Sequence, residues 1–318
     1  MKEAIKNFGK QFAFNPEIKN QRNLRKKKAF IVAGMGGSAL AADLLRVWDS
    51  KLKLIIHRNY GLPNLSKAEL ADYLFIASSY SGNTEEVLDA LREARKAKMA
   101  VAVVATGGKL LREAEKGNLP YIKLPDKGIQ PRMALGISAK AILKLMGNEL
   151  GLKKISKLTG LRPEIFEKKG KALSKKLAGF IPVIYASQRN MAVAYTWKIK
   201  FNETGKVPAF ANRFPELNHN EMTGFDGKGE ANKLAKKFYF IILRDRDDDR
   251  RISRRMEVIG NLLKKRNLKF ETINLEASEF HKIFNSLLLA DWTAYYLAHH
   301  YGSDPEAVPM VEQFKKLL

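Results

Sequence analysis

Residues 73–87, YLFIASSYSGNTEEV, decide how the first half of this chain folds. They predict a buried strand from Tyr73 to Ser78, a loop of hydroxyl side chains with one glycine, and a helix that begins near Glu85. Where a strand enters a helix through such a loop, free backbone N–H groups and the positive helix end converge on one point. Ser79, Ser81 and Thr84 add three hydroxyls there, so the stretch predicts a phosphate site.

Strands and helices alternate on either side of this stretch. The predicted strands are 29–33, 52–57, 73–78, 99–105 and 121–124, and the predicted helices between them are 39–48, 84–98 and 109–116. Such alternation is typical of a parallel, doubly wound sheet, in which ligands gather at the carboxyl ends of the strands. The loop at 34–38 and the loop after residue 78 are both predicted at this edge.

The second half repeats the pattern after a long predicted helix, 133–150, and a polar linker, 151–163. Its predicted helices are 163–178, 191–201, 251–264 and 280–300, and its predicted strands are 182–186, 238–243 and 269–273. Because 318 residues exceed the size of one hydrophobic core, we expect two α/β domains, 1–150 and 151–318, each a mostly parallel sheet flanked by helices. Residues 1–28 are predicted to pack on the first domain, and 204–228 to form a long irregular segment.

Composition narrows the class of protein. The chain has no cysteine, which excludes disulfides, thiolate metal sites and cysteine nucleophiles. No apolar run approaches the ~18 residues of a membrane span, so we expect a soluble, cytoplasmic protein. The formal net charge of +24 raises the possibility of nucleic-acid binding, but the basic residues are spread along the chain without a recognisable nucleic-acid module. They favour a solvated basic surface that attracts small dianions.

The first glycine-rich loop admits a second interpretation. Residues 34–39, GMGGSA, satisfy the GxGxxA form of the dinucleotide fingerprint. That fingerprint also requires an acidic residue about 20 positions further on, where this chain has His57 and Arg58. Since Arg58 could contact the phosphate of NADP, an NADP oxidoreductase is one alternative.

The two loops together resemble the sugar isomerase (SIS) fold, whose loops hold a sugar phosphate. Alternatively the serines are helix caps and turn formers, but a cap needs one hydroxyl and this loop has three. The segments 198–209, KIKFNETGKVPA, and 215–221, PELNHNE, resemble the bifunctional phosphoglucose/phosphomannose isomerases. That resemblance runs from about Phe30 to the C-terminus and implies two SIS-type domains.

The resemblance implies a role for each matching residue. Glu203 matches the base that moves a proton between C2 and C1, and Arg132 matches the arginine that stabilises the cis-enediolate. His219 matches the ring-opening histidine, which comes from the neighbouring subunit in that family, and Lys315 matches a lysine that assists it. The residues that match substrate and phosphate contacts are Gly36, Gly37, Ser38, Ser79, Ser81 and Thr84.

The implied function is the interconversion of glucose 6-phosphate and mannose 6-phosphate with fructose 6-phosphate. This chemistry needs a base, an acid–base group for the ring oxygen and a cation beside the enediolate, and it needs no redox cofactor. The five histidines are scattered without HxH or HExxH spacing, so no metal site is predicted. The expected assembly is a homodimer with shared active sites.

One departure and one alternative remain open. Family members often have Asp-Pro-Thr-Pro where this chain has Asp304-Pro305-Glu306-Ala307, and Glu306 puts turnover of mannose 6-phosphate in question. A non-catalytic sugar-phosphate-binding regulatory protein would also keep the hydroxyl loop. Such a protein has no need of Glu203 or His219 and usually carries a DNA-binding domain, which this sequence does not show.

Overall fold

A computed structural model describes residues 1–277 and 279–317 of the chain. The chain forms two compact units, an N-terminal unit of Asn7–Leu161 and a C-terminal unit of Arg162–Leu318 together with Met1–Lys6. Each unit contains one parallel sheet flanked by helices, which is an α/β fold. Helix α1, Lys2–Lys6, belongs to the C-terminal unit, so the predicted packing of residues 1–28 on the first domain is wrong for Met1–Lys6.

The sheet of the N-terminal unit is parallel throughout and has the order β2-β1-β3-β4-β5. Its strands are apolar and largely buried because helices cover both faces. The strands are β1 (Ala29–Ala33), β2 (Leu54–His57), β3 (Tyr73–Ser78), β4 (Ala100–Ala105) and β5 (Tyr121–Lys123). The helices are α2 (Gly37–Trp48), α3 (Lys67–Ala71), α4 (Glu85–Lys96), α5 (Gly108–Lys116), α6 (Leu135–Leu145) and α7 (Glu149–Ser156).

The strand order places the two predicted loops side by side. β1 pairs with both β2 and β3, with Ile31 opposite Ile55 on one side and Phe75 on the other. The order therefore reverses between β1 and β3, and their carboxyl ends form the switch point at which such sheets bind ligands. On one face, Phe75 and Val103 pack with Leu91 of α4, which holds the start of α4 at this edge.

The predicted helix 133–150 is wrong, because the structure divides it into α6 and α7. Gly147 has a φ of +66°, in the left-handed region where a helix ends, and the side chain of Asn148 accepts a hydrogen bond from the backbone N–H of Gly151. Gly147 therefore ends the first helix, and Asn148 caps the start of the second. α7 and a following 3-10 turn also occupy most of the predicted linker.

The sheet of the C-terminal unit is also parallel, with the order β7-β6-β8-β9. The strands are β6 (Ile181–Ser187), β7 (Phe210–Phe214), β8 (Phe238–Asp245) and β9 (Lys269–Leu275). The helices are α8 (Glu167–Leu177), α9 (Met191–Glu203), α10 (Glu230–Ala235), α11 (Arg250–Lys265), α12 (Glu279–His300) and α13 (Pro309–Leu317). The prediction of an irregular segment at 204–228 missed β7, an edge strand in which Phe214 alone is buried.

Candidate active site

The first glycine-rich loop connects β1 to α2 at the switch point. Gly36 precedes α2 with φ +49° and ψ −128°, and Ser38 lies buried in the first turn of the helix. The Ser38 Oγ accepts a hydrogen bond from the backbone N–H of Tyr80 at 2.9 Å. This serine therefore fastens the first loop to the second, so that both helix starts keep a fixed spacing.

The second loop holds its hydroxyls in a small network. The Oγ of Ser79 lies 2.8 Å from the Oγ1 of Thr84 and accepts a hydrogen bond from the backbone N–H of Gly82 at 3.1 Å. Ser79 is buried, Thr84 is half-buried, and the exposed Ser81 accepts from the backbone N–H of Asn83 at 3.3 Å. The three hydroxyls thus line one loop, with that of Ser81 on the outside.

The structure supports one half of the alternative for these side chains: Ser79 and Ser81 accept backbone N–H groups within the loop, as turn formers do, but they do not cap the helices. Thr84 occupies the cap position of α4 and Gly36 that of α2, yet among the described residues neither helix start receives a side-chain cap hydrogen bond. The first backbone N–H groups of α4 therefore remain available at this sheet edge, whereas in α2 the N–H groups of Ser38 and Ala39 donate to the carbonyls of Met35 and Gly36 at 3.1 and 3.2 Å. Such groups and the helix dipoles favour a bound anion.

Gly82 fixes the second loop against the loop after β4. Its φ is +70°, and a Cβ at this position would lie 1.8 Å from the carbonyl oxygen of Gly107. The Oδ1 of Asn83 accepts a hydrogen bond from the backbone N–H of Lys109 at 3.0 Å, at the start of α5. Sequence reasoning missed this role of Asn83, although asparagine before a helix often accepts from backbone groups.

We expect Gly82→Ala to lower the free energy of unfolding by ~3 kcal/mol, because the new methyl group adds a clash to an unfavourable backbone conformation. Gly61→Ala is the matched control, since Gly61 has a similar φ of +66° and no described atom lies within 4 Å of the position that the new methyl group would take. The control should lose only ~1 kcal/mol from its backbone conformation. Denaturant unfolding of both variants measures the difference, and equal losses would show that the contact with Gly107 has no energetic effect.

Arg132 lies close to the first loop within the N-terminal unit. A Cβ at Gly37 would lie 2.6 Å from the carbonyl carbon and oxygen of Pro131 and 2.7 Å from the backbone nitrogen of Arg132. Only glycine allows this approach, which brings the backbone of Arg132 against the start of α2. The Arg132 side chain is 2% exposed, and its Nη1 lies 3.4 Å from the Oε1 of Gln130.

Arg58, which the NADP alternative would need, is paired inside its own unit. Its guanidinium donates to the buried carboxylate of Asp43 on α2. Burial raises the pKa of the Asp43 carboxyl, and Arg58 acts in the opposite direction by stabilising its charged form. This pair gives Arg58 a structural role beside the first loop.

Glu203 is the last residue of α9 in the C-terminal unit, and it is half-buried. A buried ion pair between Lys200 of α9 and Asp291 of α12, each with a side chain 1% exposed, holds this helix. A second tie is the hydrogen bond from the Nε1 of Trp197 to the Oγ of Ser286 at 2.9 Å. α9 therefore fixes the backbone at Glu203.

His219 lies in the segment after β7, and its side chain is exposed. Its backbone N–H donates to the carbonyl of Glu216 at 2.9 Å. Two residues later, the carboxylate of Glu221 accepts from the hydroxyl of Tyr185 at 2.6 Å and from the Nδ2 of Asn212. Sequence reasoning missed both partners of Glu221. Tyr185 is 36 positions away along the chain, and Asn212 lies in no recognisable local pattern.

Lys315 lies on α13, none of whose described residues is buried. Large apolar side chains on this helix are also exposed, among them Met310, Phe314 and Leu317. The predicted residues thus divide between the units, with the phosphate loops and Arg132 in the N-terminal unit and Glu203, His219 and Lys315 in the C-terminal unit.

The carboxyl edge of the second sheet has a different chemistry from that of the first. Asp245, at the end of β8, is fully buried, and its carboxylate lies 2.7 Å from the Nζ of Lys282. The same Nζ lies 2.8 Å from the carboxylate of Asp247, and Asn190 donates to Asp245 at 3.1 Å. Internal ion pairs and carboxylates therefore lie at this edge, whereas the first sheet has its hydroxyl-bearing loop there.

Two kinds of feature are absent from residues 1–277 and 279–317. No helix in these ranges is long and apolar enough to cross a membrane. No group of three or more histidine, aspartate or glutamate side chains in the same ranges could hold a metal ion.

The two parallel sheets flanked by helices, with a hydroxyl-bearing loop at the switch point of the first, define a protein of the α/β class. Residues 166–318 match a family model described as the bacterial phospho-glucose isomerase C-terminal SIS domain. The bifunctional phosphoglucose/phosphomannose isomerase of Caldicellulosiruptor bescii is 35% identical over 91% of this chain and 88% of its own. The protein of that name from Aquifex aeolicus is 30% identical over 99% of this chain and 97% of its own. This chain belongs to the bifunctional phosphoglucose/phosphomannose isomerase family.

A solved structure supports the fold independently. Glucosamine-6-phosphate deaminase from Thermotoga maritima superposes with a TM-score of 0.69 over 96% of both chains. The two sequences are 16% identical, so this likeness concerns the fold alone.

Proposed function

We propose that this protein is an aldose–ketose isomerase that interconverts glucose 6-phosphate and mannose 6-phosphate with fructose 6-phosphate. The observation that carries the proposal is the 35% sequence identity of this protein, over 91% of its chain, to a bifunctional phosphoglucose/phosphomannose isomerase. The two sheets are then two SIS-type domains, and the chain uses no redox cofactor or metal. In this proposal the protein is a soluble, cytoplasmic enzyme of sugar metabolism.

The hydroxyl loop binds the phosphate in this proposal. Ser79 and Thr84 give up their mutual hydrogen bond and donate to phosphate oxygens, and Ser81 adds a third donor. The backbone N–H groups at the start of α4 complete the site, with Gly36, Gly37 and Ser38 forming its other wall. Charge-assisted hydrogen bonds of this kind are stronger than those between neutral groups.

The reaction itself uses four side chains. Glu203 takes the proton from C2 and returns it at C1, while the guanidinium of Arg132 stabilises the negative charge of the cis-enediolate. Beforehand, His219 and Lys315 open the sugar ring by moving a proton between the ring oxygen and the C1 hydroxyl. Histidine suits this step because it titrates near neutral pH.

The functional unit in this proposal is a homodimer in which His219 serves the active site of the other subunit. The exposure of His219 and of Lys315 on their own chain supports this sharing, since a group that works on a second chain has to face outward. The exposed apolar side chains of α13 are a further argument for association, because such surfaces usually mark interfaces.

The direct test is a coupled assay of purified protein that detects glucose 6-phosphate formed from fructose 6-phosphate. We expect turnover that persists in EDTA, because the proposed proton transfers involve side chains alone. A protein that binds fructose 6-phosphate in calorimetry but forms no glucose 6-phosphate would instead be the non-catalytic sugar-phosphate-binding regulatory protein. The same assay with mannose 6-phosphate in place of fructose 6-phosphate measures turnover of the second substrate, which Glu306 puts in question.

A further inference from the structure

The segment that carries His219 is joined to the core of the C-terminal unit by the buried side chain of Leu217 and by the carboxylate of Glu221. Tyr185 of β6 is fully buried, and its hydroxyl donates to the Oε1 of Glu221 at 2.6 Å. The Nδ2 of Asn212, on β7, donates to the other oxygen, Oε2. Glu221 is thus held from two adjacent strands, β6 and β7.

The Glu221 attachment is better shielded from water than the surface side-chain hydrogen bonds of the segment, one of which joins the Nη1 of Arg255 to the Oδ1 of Asn218 at 3.4 Å. On the surface, the Nδ2 of Asn220 donates to the Oε1 of Glu216 at 2.8 Å, where both residues are exposed and water competes. The tyrosine hydroxyl, in contrast, comes from a buried ring that packs against Phe214 and Phe240 at centroid distances of 6.1 and 5.6 Å. A rigid donor of this kind loses little freedom when it forms a hydrogen bond.

The electrostatics of the pair also favour a fixed geometry. Burial, with the carboxylate of Glu221 beside it, raises the pKa of the Tyr185 hydroxyl above its ordinary value. The hydroxyl therefore stays protonated and remains a donor at any physiological pH, while Glu221 accepts. Since Glu221 is two residues from His219, this contact fixes the backbone from which the exposed imidazole projects.

We propose that Glu221, held by Tyr185 and Asn212, is a positioning residue that sets the direction in which His219 projects for ring opening. The proposal rests on the function proposed above, in which His219 opens the ring. Glu221 itself moves no proton. Its loss lowers the fraction of time that the imidazole spends in the productive position, and misplacement of a catalytic group by about 1 Å costs up to ~100-fold in rate.

The test is a double-mutant cycle that combines Tyr185→Phe with His219→Ala. Tyr185→Phe removes only the hydroxyl and keeps the buried ring, and we expect it to lower kcat on fructose 6-phosphate ~10-fold with KM nearly unchanged. In the His219→Ala background the same change should lower kcat less than ~2-fold, because the positioned group is already gone. A general structural effect would instead give the same loss in both backgrounds.

Tyr239→Phe is the matched control, because this tyrosine of β8 also donates to a carboxylate, that of Glu271 at 3.3 Å. It should leave kcat unchanged in both backgrounds. Glu221→Gln, measured in the same cycle, provides a second route if Tyr185→Phe does not fold. If the wild type is active but Tyr185→Phe lowers kcat equally in the His219→Ala background, the positioning role alone is overturned. If the wild type is inactive, the proposed function is overturned and this inference with it.

Discussion

Glu203→Gln is expected to lower kcat for isomerisation at least ~100-fold while binding of a phosphosugar inhibitor is retained. Glutamine has the size and hydrogen-bonding capacity of glutamate but cannot take a proton from carbon. Helix α9 should keep its place, because the Lys200–Asp291 ion pair and the Trp197–Ser286 hydrogen bond do not involve the Glu203 side chain. The change therefore isolates proton transfer from folding and from phosphate binding.

Steady-state kinetics and calorimetric titration of the inhibitor measure the two quantities separately. Glu230→Gln is the control, since Glu230 is an exposed glutamate in the first turn of α10 and should leave kcat unaffected. Turnover that is unchanged in Glu203→Gln would mean that another group is the base. Loss of inhibitor binding together with turnover would point to a binding role for the carboxylate.

Mixing Glu203→Gln subunits with His219→Ala subunits is expected to raise activity well above the low level that either variant has alone. In a two-fold symmetric dimer with shared sites, a mixed dimer contains one site with both groups altered and one with both intact. Equal mixing with complete exchange makes half the dimers mixed, so about a quarter of the wild-type activity should return.

Subunit exchange is verified separately, by differently tagged subunits that are purified together. Each variant mixed with itself serves as the control and should show no gain. If exchange is complete and activity stays at the level of the separate variants, Glu203 and His219 do not act across a subunit boundary.

The sequence predicts the centre of the fold well because strong local patterns act there. The bounds of β1 and β3 agree with the prediction, since both are short apolar runs that end at glycine or hydroxyl residues. The sequence fails where local patterns are weak or overridden. β7 has only Phe214 buried and so lacks the alternation of a half-buried strand, and Gly147 ends a helix whose apolar periodicity continues beyond it.

The candidate site divides in the same way. The hydroxyl loop is predictable because a strand, a serine-rich loop and a helix follow one another along the chain. Glu203 and His219 could be assigned only through family resemblance, since neither has a local pattern that indicates proton transfer. The hydrogen bond between Tyr185 and Glu221 joins residues 36 positions apart, and no property of either neighbourhood in the sequence predicts it.

The ion pairs at the carboxyl edge of the second sheet have a consequence for stoichiometry. Both sheets present a strand-to-helix edge, but at the second edge the cation of Lys282 is already paired with the carboxylates of Asp245 and Asp247. Of the two edges that the structure describes, we expect the first, which carries the hydroxyl loop, to receive the phosphate. Although the architecture is repeated, we therefore expect each chain to bind one phosphosugar.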